Sequence, residues 1–119
     1  MVLGIKVEGI EKLAKALNNI ADMREPVGQA IELYLEKVVT DAKALAPVRT
    51  GRLQRSIRFW GGEGEYHVGS DVFYSIFVEA GTSKMAPRPF LTPALMQNIP
   101  LLRQALLERV EEWLRSRGE

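Results

Sequence analysis

The chain has 119 residues, with 16 Lys plus Arg against 15 Asp plus Glu, 46% hydrophobic residues and no cysteine. This composition suits a single domain, residues 1–119, able to bury about two-thirds of its unfolded surface, and it excludes thiolate catalysis, cysteine-ligated zinc and a disulfide framework. A net charge of +1 argues against a protein that coats nucleic acid by charge alone.

Leu3, Ile5 and Val7 alternate with Gly4 and Lys6, a strand pattern that stops near Gly9. The same segment lacks the basic start and apolar stretch of a signal peptide, and no run of about 18 apolar residues exists to span a bilayer. The expectation is a whole chain made in the cytoplasm. Ile10, Leu13, Leu17 and Ile20 then recur at helical spacing, predicting an amphipathic helix from about Gly9 to Ala21.

A longer helix is predicted from Pro26 to Ala46, introduced by a capping-box pair, Asp22 and Glu25. Val27, Ile31, Tyr34, Leu35, Val38, Ala42 and Leu45 make its apolar stripe, and Pro47 ends it. Thr50 and Gly51 open a short helical turn through Leu53. Ser56 to Trp60 then alternates as a strand, Gly61 to Gly64 supplies a tight turn, and Tyr66 and Val68 form the return strand of a hairpin.

Val72 to Glu79 is rich in β-branched and aromatic residues, predicting a further strand with Tyr74, Ile76 and Val78 on one face and Phe73 and Phe77 on the other. Ala80 to Leu91 has no periodicity and reads as a long loop. Thr92 and Pro93 start a last helix that reaches about Arg115, with Pro100 expected to kink or restart it. The sum is an α+β fold. A three- to four-stranded, mainly antiparallel sheet packs on the long helix, with an N-terminal helix and a long C-terminal helix.

Candidate chemistry is sparse. The one histidine, His67, lies in the hairpin beside Glu65, and an exposed strand histidine is its plain reading. Asp71 and Glu79 flank the apolar strand and could serve as an acid–base pair, with an ion pair from Glu79 to Lys84 or Arg88 as the competing structural reading. The glycines 61, 62 and 64 do not precede a helix start bearing Lys and Ser or Thr, so they are hairpin residues and not a phosphate cradle. No metal-ligand set and no cofactor motif is found, and none is expected. Charge is uneven: Ala42 to Gly62 holds five bases and no acid. Of these, Arg49, Arg52, Arg55 and Arg58 are candidates to face DNA or an acidic partner.

Three blocks carry more. Ala46-Pro47-Val48-Arg49-Thr50-Gly51-Arg52-Leu53-Gln54-Arg55-Ser56-Ile57, then Tyr74 through Val78-Glu79-Ala80-Gly81-Thr82, then Met85-Ala86-Pro87-Arg88-Pro89-Phe90-Leu91-Thr92-Pro93-Ala94-Leu95 resemble, in order, the small neck proteins of long-tailed double-stranded-DNA bacteriophages. Members of that family are known as tail-component, head–tail joining or tail-completion proteins. The resemblance implies a virion protein of a phage or prophage with no enzymatic activity. It also implies a ring of identical subunits in the neck, in contact with other neck and tail proteins and not with a membrane. Thr50, Gly51, Leu53 and Ser56 would set the turn into the sheet, Glu79, Gly81 and Thr82 would end the central strand, and Pro89, Phe90 and Pro93 would dock the last helix. Contacts between subunits or with neck partners are expected at Trp60, Phe73, Phe77, Glu79, Lys84, Arg88 and Phe90.

A sphere for a chain of this length has a radius of gyration of about 13–14 Å and is about 35 Å across. Six such spheres enclose a hole about one sphere wide and four leave only about 14 Å, so duplex DNA, roughly 20 Å across, favours a hexamer. DNA would pass without sequence-specific binding, and the protein would sit in the virion after assembly in the host cytoplasm. Two rival readings make separate predictions. A nucleic-acid-binding module would use the four arginines with Trp60 and Tyr66 as stacking groups, and a small hydrolase would use His67 and Glu79.

Overall fold

The computed structural model describes residues 3–4, 23–48, 51–62 and 65–118. The expected helix over Gly9–Ala21, the rest of the first strand, Asp22, Arg49 and Thr50 lie outside these residues. The fold is α+β. Its elements are β1 (Leu3–Gly4), α1 (Arg24–Leu45), α2 (Arg52–Ser56), β2 (Arg58–Gly62), β3 (Glu65–Ser70), α3 (Ser75–Ala80), α4 (Leu91–Gln97) and α5 (Ile99–Gly118).

Helix α1 is the organiser. Its stripe of Val27, Ala30, Ile31, Tyr34, Leu35, Val38 and Ala42 is buried, which follows from apolar residues recurring every three and four positions. Met23 is its N-cap and makes no side-chain capping bond, while Ala46 leaves helical geometry at ψ 136°, as the residue before Pro47 must. Helices α4 and α5 and strand β2 all pack against α1.

The sheet is antiparallel, in the order β1-β3-β2. In the hairpin, Phe59 pairs with Val68, Trp60 with His67 and Gly61 with Tyr66. Successive side chains point to opposite faces. Val68 is therefore buried, with Phe59 and Tyr66 packed beside it, while Arg58, Trp60, Glu65 and His67 take the outer face.

Two expectations are corrected. Val72 to Glu79 is not a strand: Ser75 N–H bonds Val72 O, Val78 N–H bonds Tyr74 O, and the chain winds into α3. A segment apolar at nearly every position fits a 3.6-residue period as well as a period of two, and packing decides between them. The inward residues are Val72 and Ser75, with Tyr74 and Val78 partly buried, whereas Phe73 and Phe77 face out. The second correction is the shape. The radius of gyration is 16.2 Å and the extents are 60 × 22 × 21 Å, a rod and not a 35 Å sphere.

The C-terminal expectation holds at Pro100 but not at the helix start, where Phe90 and not Thr92 is the N-cap and Leu91 opens the helix. Helix α4 stops at Gln97, Asn98 breaks the run, and α5 restarts at Ile99 with Pro100 in its first turn, where a missing N–H has no helical partner to lose. Asn98 Nδ2 donates to Ala94 O at 2.8 Å and to Asp41 Oδ2 at 2.8 Å, tying the break to α1. Gln97 Nε2 adds a bond of 3.0 Å to the same Asp41 oxygen. Hydrogen bonds from Lys37, Asn98 and Gln97 together hold the Asp41 carboxyl at about 2, below its ordinary 3.8. A third tie runs from the Tyr34 hydroxyl to Leu95 O at 2.9 Å, and burial pushes that hydroxyl up to about 12.

Candidate functional site

Glu79, Gly81, Thr82 and Phe90, singled out in the sequence, meet at the base of the 81–89 loop, whereas Trp60, His67 and Arg58 lie on the hairpin and Arg52 and Arg55 on α2. Glu79, in the last turn of α3, reaches across to the start of α4. Its Oε1 accepts from Leu91 N–H at 2.8 Å and Phe90 N–H at 3.2 Å, and its Oε2 accepts from Thr92 N–H at 3.3 Å. The first N–H groups of a helix have no intrahelical partner, and an anion is favoured there. The carboxylate thus caps a helix 11 residues further along the chain. The expected ion pair from Glu79 to Lys84 or Arg88 is absent among the described residues; the backbone donors hold the charge instead.

The other residues of the motifs complete the clasp. Gly81 ends α3 with φ 76°, and its N–H bonds Phe77 O. A Cβ at that position would lie 2.8 Å from Pro87 N and 2.9 Å from Pro87 Cδ, so only glycine serves there. Thr82 and Met85 pair as a bridge, and Arg88 N–H bonds Val78 O at 2.8 Å. Residues 82–89 are all exposed. The loop is tied at its base by the backbone of Val78, the carboxylate of Glu79 and the turn at Gly81, and it presents Lys84, Met85 and Arg88 outward.

Of the expected contact residues, Phe73 and Phe77 are 61% and 46% exposed, one helical turn apart. Lys84 and Arg88 are exposed and make no ion pair among the described residues. Phe90 is different. At 0% exposure it is a core side chain of this chain, which corrects its expected part in contacts. Trp60 lies on the outer sheet face, stacked on His67 at 5.7 Å between centroids, with the Arg58 guanidinium 4.7 Å from its ring centre.

The first block is also accounted for. Gly51 has φ 79° at the start of α2, and Leu53 is buried. Ser56 Oγ donates to Leu53 O at 2.6 Å and is hydrogen-bonded to Ser70 Oγ, which also accepts from Val72 N–H. These bonds join the end of α2 to the end of β3. Arg52 and Arg55 are exposed on α2 and Arg58 on β2, so they do not share one element.

His67 and Glu79 are not brought together as a catalytic pair. His67 Nε2 is 3.8 Å from Glu65 Oε1 on the hairpin, and Glu79 is engaged at α4. Trp60, offered as a stacking group for nucleic acid, has its π-surface in use within the chain. Sequence reasoning missed the cap and the polar junction of Asp41, Gln97 and Asn98. The cap joins the second and third motif blocks, a pairing that Glu79 and the run Phe90-Leu91-Thr92-Pro93 could have suggested as an acid and a helix start.

The class defined by this architecture is a small α+β chain with a closed core, a clasped surface loop and phenylalanines displayed beside it. A family model described as "Bacteriophage HK97-gp10, putative tail-component" matches residues 10–81, and the chain belongs to that family of structural phage tail components. The match includes the first block and reaches Gly81 in the second. No curated protein matches the chain, and no solved structure does. Among the described residues, no helix is long and apolar enough to cross a membrane.

Proposed function

We propose that the chain is a neck protein of a tailed phage or prophage, forming a ring that joins the DNA-filled head to the tail. Membership in a tail-component family supports a place in the virion and contact with other tail proteins. The observation that carries the finer reading is the clasped loop with Phe73 and Phe77 beside it. Two exposed phenylalanines on one short segment, next to a preorganised loop, support a protein–protein contact there.

The rod shape changes the geometry of the ring. With long axes standing along the channel, six bodies 22 Å wide enclose a hole of about 22 Å. That just admits duplex DNA of roughly 20 Å, whereas four leave about 9 Å. In this reading DNA passes through the hexamer without sequence-specific binding.

The test is a phage or lysogen with this gene deleted. Filled heads and free tails, rejoined when the full chain is supplied, are expected. Infectious particles with firmly attached tails in its absence refute the proposal.

A further inference from the structure

The tied loop is basic: from Ala80 to Leu91 the sequence holds Lys84 and Arg88 and no acid. Its tip is apolar between these charges, with Met85 41% exposed. The opposite chemistry stands on the outward face of α1. From Glu25 to Glu36 the sequence holds three acids and no base. Glu32 and Glu36 are one turn apart and exposed, with Leu33 beside them at 51% exposure. None of the three acids is in an ion pair among the described residues. The acids of α5 make a poorer match, because Glu108, Glu111 and Glu112 are interleaved with Arg109 and Arg115, and Glu108 lies 3.8 Å from Arg109.

We infer that the 81–89 loop of one copy docks on the outward face of α1 of the next, with Lys84 and Arg88 meeting Glu32 and Glu36 and Met85 meeting Leu33. Within one chain no hydrogen bond or ion pair joins the two patches among the described residues. Two different, complementary patches on one chain make a heterologous contact, which propagates head to tail and closes when the rotation per subunit divides the circle. A basic tip cannot pair with its own copy, so an isologous dimer through this loop is disfavoured. The inference rests on the ring reading and names the surfaces that would build it. The tie at the base lowers the ordering cost that a free loop of this length would meet on docking.

The absence of native cysteine makes the contact directly readable. Full-length Met85→Cys is mixed with a tagged full-length Leu33→Cys and oxidised, and the mixed dimer is compared with each homodimer on a non-reducing gel. The mixed dimer is expected to dominate, and to do so over a control mixture of Met85→Cys with Leu114→Cys. Adding Lys84→Glu and Arg88→Glu to the first chain should lower the mixed dimer about tenfold, since two attractive pairs become repulsive. Adding Glu32→Lys and Glu36→Lys to the second should restore it. Equal trapping of mixed, homodimeric and control pairs overturns the inference, as does indifference to the charge changes. The two readings fail separately. Rings seen by electron microscopy without the mixed dimer remove this contact and leave the ring, whereas the mixed dimer with only open chains leaves the contact and removes the ring.

Discussion

Removing the Glu79 carboxylate tests how the loop and the last helices are held. The bond of 2.8 Å to Leu91 N–H is short and charge-assisted, and those of 3.2 and 3.3 Å to Phe90 and Thr92 are longer. Charged hydrogen bonds contribute about 1.5–3 kcal/mol and an N-cap about 0.5–2. The three bonds share one partly buried carboxylate and do not add, so Glu79→Ala costs about 2–3 kcal/mol, near the upper end of either range alone. At about 4 °C per kcal/mol for a chain of this length, Tm falls by about 8–12 °C. Glu79→Gln keeps one acceptor oxygen but loses the charge and turns an amide N–H₂ toward a backbone donor, so about half the loss is expected. Urea unfolding followed by circular dichroism gives the stability, and limited trypsin cleavage after Lys84 reports the loop, which should be cut faster in the Ala variant. An Ala variant within about 0.5 kcal/mol of the parent, with unchanged cleavage, refutes the capping role. Unchanged stability with lost assembly would move Glu79 to the subunit contact.

Gly81→Ala should cost about 2 kcal/mol or more in urea unfolding, because φ 76° disfavours a side chain and Pro87 occupies the space of the Cβ. Phe90→Ala should cost about 3–5 kcal/mol, while Phe77→Ala should change stability by under about 1 kcal/mol and weaken self-association measured by native mass spectrometry. Asp41 titrates at about 2 when folded against 3.8 when free, so its ties stabilise the fold fully above about pH 4, and that stability is lost as pH falls toward 2. Asp41→Asn should flatten this part of an acid unfolding curve. Tyr34 has the opposite sign: its hydroxyl is raised to about 12, so its share of stability is complete below about pH 10 and lost as pH rises through 12. An absorbance titration at alkaline pH should show this tyrosine ionising last, and Tyr34→Phe should remove that step.

Periodicity made α1 legible, because one apolar stripe over more than five turns has no other reading, and Pro47 and Pro100 marked an end and a restart by removing backbone donors. The hairpin followed from alternation and glycine. The stretch from Val72 to Glu79 was not legible, since apolar residues at nearly every position carry no period. Packing decided its form, and the partners Glu79 finds at Phe90, Leu91 and Thr92 are long-range contacts that composition does not encode. The overall dimensions failed for a related reason. A size law assumes an isotropic body, whereas this chain is 60 Å long and only 22 and 21 Å across. At the site, the display of Phe73, Phe77, Lys84 and Arg88 was readable from their types, while Phe90 was misassigned because an aromatic beside two prolines looks like loop until the helix it seals is in place.

The clasp at Glu79 separates two jobs within one short stretch of chain. Side chains at 83 to 86 hang beyond the knot, so a phage lineage meeting a changed neighbour can retune recognition there while the interior keeps its register. The same knot removes slack, and a pull on the tip is delivered straight to the helices behind it.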